Sequence, residues 1–177
     1  MNSSNADQAR RQRFDRLIAG LYADMFRYAV WLSRDPGVAE DVVQESLLRA
    51  WRSLDGLQDD AAAKSWLLTI VRRENARYFE RKRLETVDID NLTAAQSAML
   101  AEPDDSEIVN VREAIYRLED DYREPLVLQV LMGHSTQEIA ELLGLKQGAV
   151  LTRLHRARLK LKDELEAGAT QASPEAG

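Results

Sequence analysis

Apolar residues recur along this chain at helical spacing, and no segment alternates as a half-buried strand would. Phe14, Leu17, Ile18, Leu21, Met25, Ala29 and Leu32 mark one face of a first helix, which ends near Arg34-Asp35-Pro36-Gly37. A second helix runs from Val38 to Leu54, with Ala39, Val43, Leu47, Ala50 and Leu54 pointing to a core. Its opposite side carries Asp41, Gln44, Glu45, Leu48 and Arg52. A leucine among carboxylates, an amide and a guanidinium has the make-up of a small protein-binding patch, or of a polar face with one stray leucine. A third helix spans about Ala63 to Leu84.

Further on, the pattern contracts into a short helix, a turn and a longer helix. Ser135 and Glu138 have capping-box spacing, and Ile139, Ala140 and Leu143 form an apolar stripe. Gly144 is the turn residue that tolerates positive φ, and Leu145 plugs the corner. Val150, Leu154, Ala157 and Leu161 then mark the buried side of the second helix. The order of elements is that of a helix-turn-helix. His134 reads as a loop residue before the cap.

Charge sharpens this picture. From Lys146 to Lys162 there are six basic side chains and no acid, a composition suited to phosphates, although a solvated basic face would look alike. At about 100° per residue, Thr152, His155 and Arg156 lie opposite Val150 and Leu154, with Arg153 and Arg158 on the flanks. In the third helix, residues 72–83 hold six bases against two acids, interleaved with Asn75, Tyr78 and Phe79. Cations beside aromatic faces suit single-stranded nucleic acid. Arg72, Arg73 and Arg77 are assigned to DNA, whereas Trp66 is expected to pack between helices.

The net charge of −6 over 177 residues conceals a division. Residues 1–84 carry 15 basic and 12 acidic side chains, residues 85–107 seven acids and no base, and residues 108–177 nine bases and 11 acids. Local field steers a polyanion, so the overall sign misleads. The expected organisation is all-α: a three-helix domain over 10–84, a flexible acidic linker over 85–106, a helix-turn-helix domain over 107–167 and a disordered tail over 168–177. Residues Leu92 to Leu100 could form a short helix inside the linker, which serves as a plain tether or holds the basic faces when DNA is absent.

Other classes find little support. The chain has no cysteine, which excludes disulfides and thiolate metal sites and fits a reducing cytoplasm. No stretch approaches the roughly 20 apolar residues of a membrane span, and Met1 to Phe14 is too polar for a signal peptide. With two histidines and no phosphate-cradling glycine loop, no catalytic constellation emerges, and no cofactor or small-molecule substrate is expected. Asp59-Asp60, Asp104-Asp105 and Asp120-Asp121 read as solvated turns or caps. A helix-turn-helix regulator of another kind would share Ser135 to Lys162 but lack the two N-terminal blocks.

Those blocks carry a resemblance. Ala39-Glu40-Asp41-Val42-Val43-Gln44-Glu45-Ser46-Leu47-Leu48-Arg49-Ala50-Trp51 resembles the core-polymerase-binding helix of sigma-70-type factors. Trp66 to Arg83 is similar to their minus-ten and promoter-melting segment, and Gly133 to Arg158 to their minus-thirty-five-reading helix-turn-helix. Having only these two domains resembles the extracytoplasmic-function (ECF) subfamily. The likeness implies that Asp41, Gln44, Glu45, Leu48 and Arg52 meet the β′ coiled coil of core RNA polymerase and the C-terminal domain the β flap. It implies that Arg72, Arg73, Asn75, Arg77 and Tyr78, with the loop Leu57 to Ala63, take an unstacked minus-ten base. Lys146, Gln147, Thr152, Arg153, His155, Arg156 and Arg158 would meet promoter DNA at minus thirty-five. It further implies a cytoplasmic initiation factor restrained by an anti-sigma factor, often membrane-anchored. Arg73 stands where the family frequently has asparagine, Leu151 at an often polar position, and Ala149 for a frequent threonine.

Overall fold

The computed structural model describes residues 3–86 and 106–171. Among these are seven α-helices and no strand: α1 Ser3–Ser33, α2 Pro36–Ser53, α3 Ala63–Thr86, α4 Ser106–Arg117, α5 Asp120–Val130, α6 Thr136–Leu143 and α7 Gln147–Gln171. Single 3₁₀ turns at Leu54–Gly56 and Asp60–Ala62 join α2 to α3. The chain divides into two compact units, Met1–Met99 and Leu100–Gly177. The expected short helix at Leu92 to Leu100 lies outside the described residues.

In the N-terminal unit each of α1, α2 and α3 packs on the other two. Met25, Tyr28 and Ala29 from α1, Val42, Val43 and Ala50 from α2, and Leu67, Leu68 and Val71 from α3 form its interior. The α1–α2 corner is fixed locally. Arg34 takes a left-handed φ of 60°, and its N–H donates to the Val30 carbonyl at 2.8 Å. The Asp35 carboxylate then accepts from the Gly37 and Val38 N–H groups at 2.8 and 3.2 Å. Pro36, which lacks an N–H, occupies the first helical position, where none is needed.

Two details of α2 differ from the sequence-based expectation. Val42 and Ser46 are buried, while Leu47 is only partly so. Helix α2 meets two partners, so its buried sector is wider than one stripe. The Ser46 hydroxyl donates to the Val42 carbonyl at 2.6 Å, which lets a polar side chain sit inside. Helix α1 also begins well ahead of residue 10, and its early turns cover a second cluster. There Leu54, Leu57 and Ala63 are enclosed by Phe14, Leu17, Leu21, Trp51 and Trp66, with Phe14 edge-on to Trp51 at 5.3 Å. Trp66 thus packs between helices, as expected.

In the C-terminal unit α7 packs on α4, α5 and α6. The capping box at Ser135 forms in both directions: the Ser135 N–H donates to Glu138 Oε2 at 2.7 Å, and the Glu138 N–H to Ser135 Oγ at 3.2 Å. After α6, Gly144 adopts φ 67° and ψ 36°. Its N–H donates to the Glu141 carbonyl and that of Leu145 to the Ala140 carbonyl at 2.8 Å, the paired bonds of a Schellman ending. Val150, Leu154 and Ala157 are buried as expected, and Leu161 partly. On α6 the buried leucine is Leu142, with Leu143 half-exposed, because α5 and α7 both close on the helix.

Three further features were not foreseen in the sequence. His134 does lie in the loop before the cap, yet it is only 5% exposed, and its N–H donates to the Leu128 carbonyl at 3.0 Å. Arg123 is 6% exposed and donates to the Leu118 and Tyr116 carbonyls at 3.1 and 3.3 Å, beside its ion pair with Asp120. It therefore satisfies carbonyls that the end of α4 leaves open. Helix α7 continues to Gln171, so residues 168–171 belong to the helix and not to a disordered tail. Adding residues to an existing helix is far easier than starting one.

Candidate functional site

The outward side of α2 holds Asp41, Gln44, Glu45, Leu48 and Arg52, all exposed. Their spacing of three or four residues gathers them on one stripe, opposite the buried Val43, Ser46 and Ala50. Leu48 is 52% exposed. About half of this side chain stays in water, so its own unit gains only part of the burial it could give. From this stripe a cleft of about 230 Å³, lined by Asp41, Val42, Gln44, Glu45, Glu74, Tyr78 and Arg81, leads to α3.

On α3 the expected DNA residues fall into different surroundings. Arg73 and Arg77 are exposed, whereas Arg72, Asn75 and Tyr78 are partly covered. Arg77 reaches back to Glu74 at 3.2 Å. Glu74, 5% exposed, also accepts Arg49 Nε from α2 at 2.5 Å. A carboxylate so enclosed requires such partners. Tyr78 sits edge-on to Phe79 at 5.4 Å, with Lys82 Nζ 5.9 Å from its ring centre. Asn75 Oδ1 is buried without a hydrogen-bond partner. The Arg49–Glu74–Arg77 group was not foreseen from the sequence. Its signal was present: Glu74 is an isolated acid within the basic run, on the side of α3 that faces α2.

The loop between α2 and α3 is held from an unexpected direction. Arg10 of α1 donates to the Trp51 carbonyl at 2.7 Å, lies 4.4 Å from the Trp51 ring centre and pairs with Asp55 at 3.2 Å. Arg13 donates to the Leu57 carbonyl at 2.7 Å and to Asp60 Oδ1 at 2.9 Å. Asp59 accepts from the Ala61 N–H at 2.9 Å and so acts as a cap.

In the C-terminal unit α6 and α7 form the helix-turn-helix. Lys146, Gln147, Thr152, His155, Arg156 and Arg158 are exposed and Arg153 partly so. Gln147 Nε2 donates to Thr136 Oγ1 at 2.9 Å, which ties the start of α7 to the start of α6. The Thr152 hydroxyl donates to the Gly148 carbonyl at 3.0 Å, which leaves its oxygen able to accept a further bond. The flanking cations lean on α5: Arg153 pairs with Asp121 at 3.1 Å, and Arg158 donates to Gln129 Oε1 at 2.5 Å. Lys160 likewise pairs with Glu119 at 3.3 Å and lies 5.0 Å from the Tyr122 ring centre. The centre of the α7 face thus presents Thr152, His155 and Arg156, while its edges are braced. Among the described residues no helix is long and apolar enough to cross a membrane.

Comparison with known proteins accords with both halves. Residues 17–85 match the family described as Sigma-70 region 2, and residues 108–161 that described as Sigma-70, region 4. Of solved structures, the sigma factor RpoE from Bartonella quintana, crystallised with the anti-sigma factor NepR, is 27% identical with a TM-score of 0.79. The alignment covers 88% of this chain and 98% of that one. CnrH, solved with the cytosolic domain of CnrY, is 26% identical with a TM-score of 0.66 over 92% and 95% of the two chains. The ECF RNA polymerase sigma factor EcfG of Rhodopseudomonas palustris is 33% identical over 137 residues, 76% of this chain and 75% of the relative. SigL of Mycobacterium tuberculosis is 35% identical over 160 residues, 81% of this chain and 84% of that protein. With likeness of this degree along most of both sequences, the chain belongs to the ECF family of RNA polymerase sigma factors.

Proposed function

We propose that the chain directs core RNA polymerase to promoters through three surfaces carried on its two helical units. The observation that carries this reading is the layout of the N-terminal bundle. One rigid packing sets the Asp41–Gln44–Glu45–Leu48–Arg52 stripe of α2 beside the cationic, aromatic-bearing α3, with a continuous cleft between them. Polymerase is held on the first surface, through its β′ coiled coil. The second, with Arg72, Arg73, Asn75, Arg77, Tyr78 and the α2–α3 loop, takes an unstacked base of the minus-ten element. Base capture offsets a few kcal/mol of unstacking, which is how a protein without bond chemistry assists melting.

The third surface is α7. Thr152, His155 and Arg156 approach base edges, Lys146 and Gln147 lie at the helix start, and Arg153 and Arg158 meet phosphates. Arginine reads guanine through two major-groove acceptors. The working divisions are residues 10–84 for polymerase and minus ten, 85–106 as tether, and 107–167 for minus thirty-five and the β flap. Each DNA footprint is small, so affinity alone is weak and salt-sensitive. Joint attachment to polymerase raises the local concentration of both at their elements.

The protein acts in the cytoplasm, catalyses no reaction, needs no cofactor, and is restrained by an anti-sigma partner. The similar sigma factor RpoE of Bartonella quintana was crystallised with the anti-sigma factor NepR, which supports this last point. Transcription by reconstituted core polymerase and this chain on a pool of promoter fragments tests the whole reading. Enrichment of fragments sharing two spaced elements is expected. Absence of any association with core polymerase, at low or high salt and with no inhibitor bound, would sink it.

A further inference from the structure

Arg10 and Arg13 lie ahead of residue 17, where the match to sigma-70 region 2 begins, yet both side chains end on the loop that joins α2 to α3. That loop has two kinds of residue. Leu54, Leu57 and Ala63 are buried anchors, whereas Gln58 and Asp59 stand exposed at the tip. Its charged side chains, Asp55, Asp59 and Asp60, are all acidic. An acidic loop would repel the phosphates it must approach, and an untied one would lose conformational entropy when a base arrives.

The two arginines answer both difficulties. Arg13 bridges Asp60 and the Leu57 carbonyl, so a single planar guanidinium fixes one side chain and one backbone group on either side of the tip. Arg10 joins Asp55 to the Trp51 carbonyl while stacked on the Trp51 ring. Asp59 is already engaged with the Ala61 N–H. Every loop carboxylate therefore has a local cationic or N–H partner before DNA is present.

We infer that the first turns of α1 are a positioning device: Arg10 and Arg13 hold the α2–α3 loop in its base-accepting shape and set how strictly the captured minus-ten base is selected. This rests on the reading that the loop accepts a base. Preorganisation adds to affinity by removing an ordering cost, so its loss weakens capture of the base without touching polymerase attachment. Neither arginine contacts DNA in this scheme; each acts through the loop.

The test uses the full chain bound to core polymerase. The probes are a fluorescent single-stranded oligonucleotide carrying the minus-ten sequence recovered by transcription, and copies made abasic at each position in turn. For the wild type, one abasic position should weaken binding most, and the intact-to-abasic affinity ratio there is the readout. Arg13→Ala and Asp60→Ala should each lower that ratio about tenfold, the size expected for one charge-assisted hydrogen bond. Combining them should lower it no further. Arg13→Lys keeps the charge but loses the planar fork by which Nε and a terminal nitrogen both grip Asp60 Oδ1, so its ratio should fall as well. Core-polymerase affinity should stay unchanged in all of them.

Gln58→Ala separates this inference from the reading beneath it. If that change abolishes the ratio while Arg13→Ala and Asp60→Ala leave it intact, the loop captures a base but α1 does not position it. If all three leave the ratio unchanged, the loop accepts no base and both readings fall. Full restoration by Arg13→Lys would make the effect one of charge alone and overturn the positioning role. Should Arg13→Ala lose its helical circular dichroism, Asp60→Ala decides, since Asp60 is exposed on the loop.

Discussion

The direction in which α7 leaves α6 depends on Gly144, and replacing it by alanine isolates one physical effect. Gly144 has φ 67° and ψ 36°, the left-handed region. A Cβ built there meets nothing within 4 Å, so no steric clash with neighbours enters. The Glu141 and Ala140 carbonyls keep their backbone partners, because only the side chain changes. What remains is the intrinsic penalty for an L-residue in this conformation, about 1–2 kcal/mol. Reduced freedom of the unfolded chain offsets about 0.4–1 kcal/mol of it, leaving a net loss near 1 kcal/mol. For a domain of this size that corresponds to a fall of about 4–8 °C in melting temperature. Calorimetry on the full chain should show the loss in the transition of the C-terminal unit only. Gly144→Asn should retain most of the stability, since asparagine visits this region more readily. Gly20→Ala provides the opposite sign: Gly20 lies within α1 at ordinary helical φ with open space around it, so alanine should stabilise the N-terminal unit by about 0.5–1 kcal/mol. Equal effects of Ala and Asn at position 144, or no loss for either, would refute the argument.

Other outcomes follow from the surfaces. Gln44→Ala combined with Glu45→Ala should weaken co-purification with core polymerase while leaving the melting curve unchanged, because both side chains are exposed; intact co-purification would count against the patch. Arg156→Ala should reduce transcription from a promoter that depends on its minus-thirty-five element more than it reduces polymerase binding, at a cost of about 1–3 kcal/mol in discrimination. Parallel loss of both would contradict base reading. Arg123→Ala should destabilise the C-terminal unit by about 2–4 kcal/mol in urea denaturation, since it removes a buried cation and strands carbonyls at the end of α4. A change under 0.5 kcal/mol would show that water replaces the guanidinium at little cost.

Local signals proved the most legible part of the sequence. Ser135 with Glu138, and Gly144, each dictate a helix boundary from neighbours within a few residues and form as read, and the break near Arg34 to Gly37 lies where expected, with Asp35 as the cap that starts α2 at Pro36. Long-range pairings had no such signature. Nothing about Arg10 or Arg13 in isolation points 41 or 44 residues ahead to Trp51 and Leu57. Burial of Arg123 and His134 was equally hidden, because polar side chains enter a core only when specific carbonyls or packing await them. Single-stripe reasoning failed where a helix has two neighbours: it placed Leu47 and Leu143 inward, where the structure buries Val42, Ser46 and Leu142. The outward placement of Asp41, Gln44, Glu45, Leu48 and Arg52 was legible from helical spacing, whereas a binding role for them follows only from the likeness to sigma factors.

Internal pairing of the cations gives a physical reason why this chain should be a poor DNA binder alone. Arg77 is shared with Glu74, Arg153 with Asp121, and Lys160 with Glu119. A phosphate must compete with each carboxylate for its cation. The Asp121 and Glu119 pairs are exposed enough to be worth at most about 1 kcal/mol each, and the enclosed Glu74 is shared between Arg49 and Arg77, so binding is not blocked outright. Several together nevertheless subtract from an affinity that a small footprint already keeps low, and they subtract from every DNA sequence alike. The base-edge contacts proposed for Thr152, His155 and Arg156 face no paired carboxylate among the described residues and are not weakened in this way. The arrangement therefore lowers non-specific affinity more than specific affinity. Neutralising one competitor provides a direct check: Asp121→Asn should strengthen binding to unrelated duplex DNA by several-fold at low salt while narrowing the preference for the promoter. A mutant that gained on promoter and unrelated DNA by different factors in the opposite order, becoming more selective, would show that Asp121 instead positions Arg153 for readout.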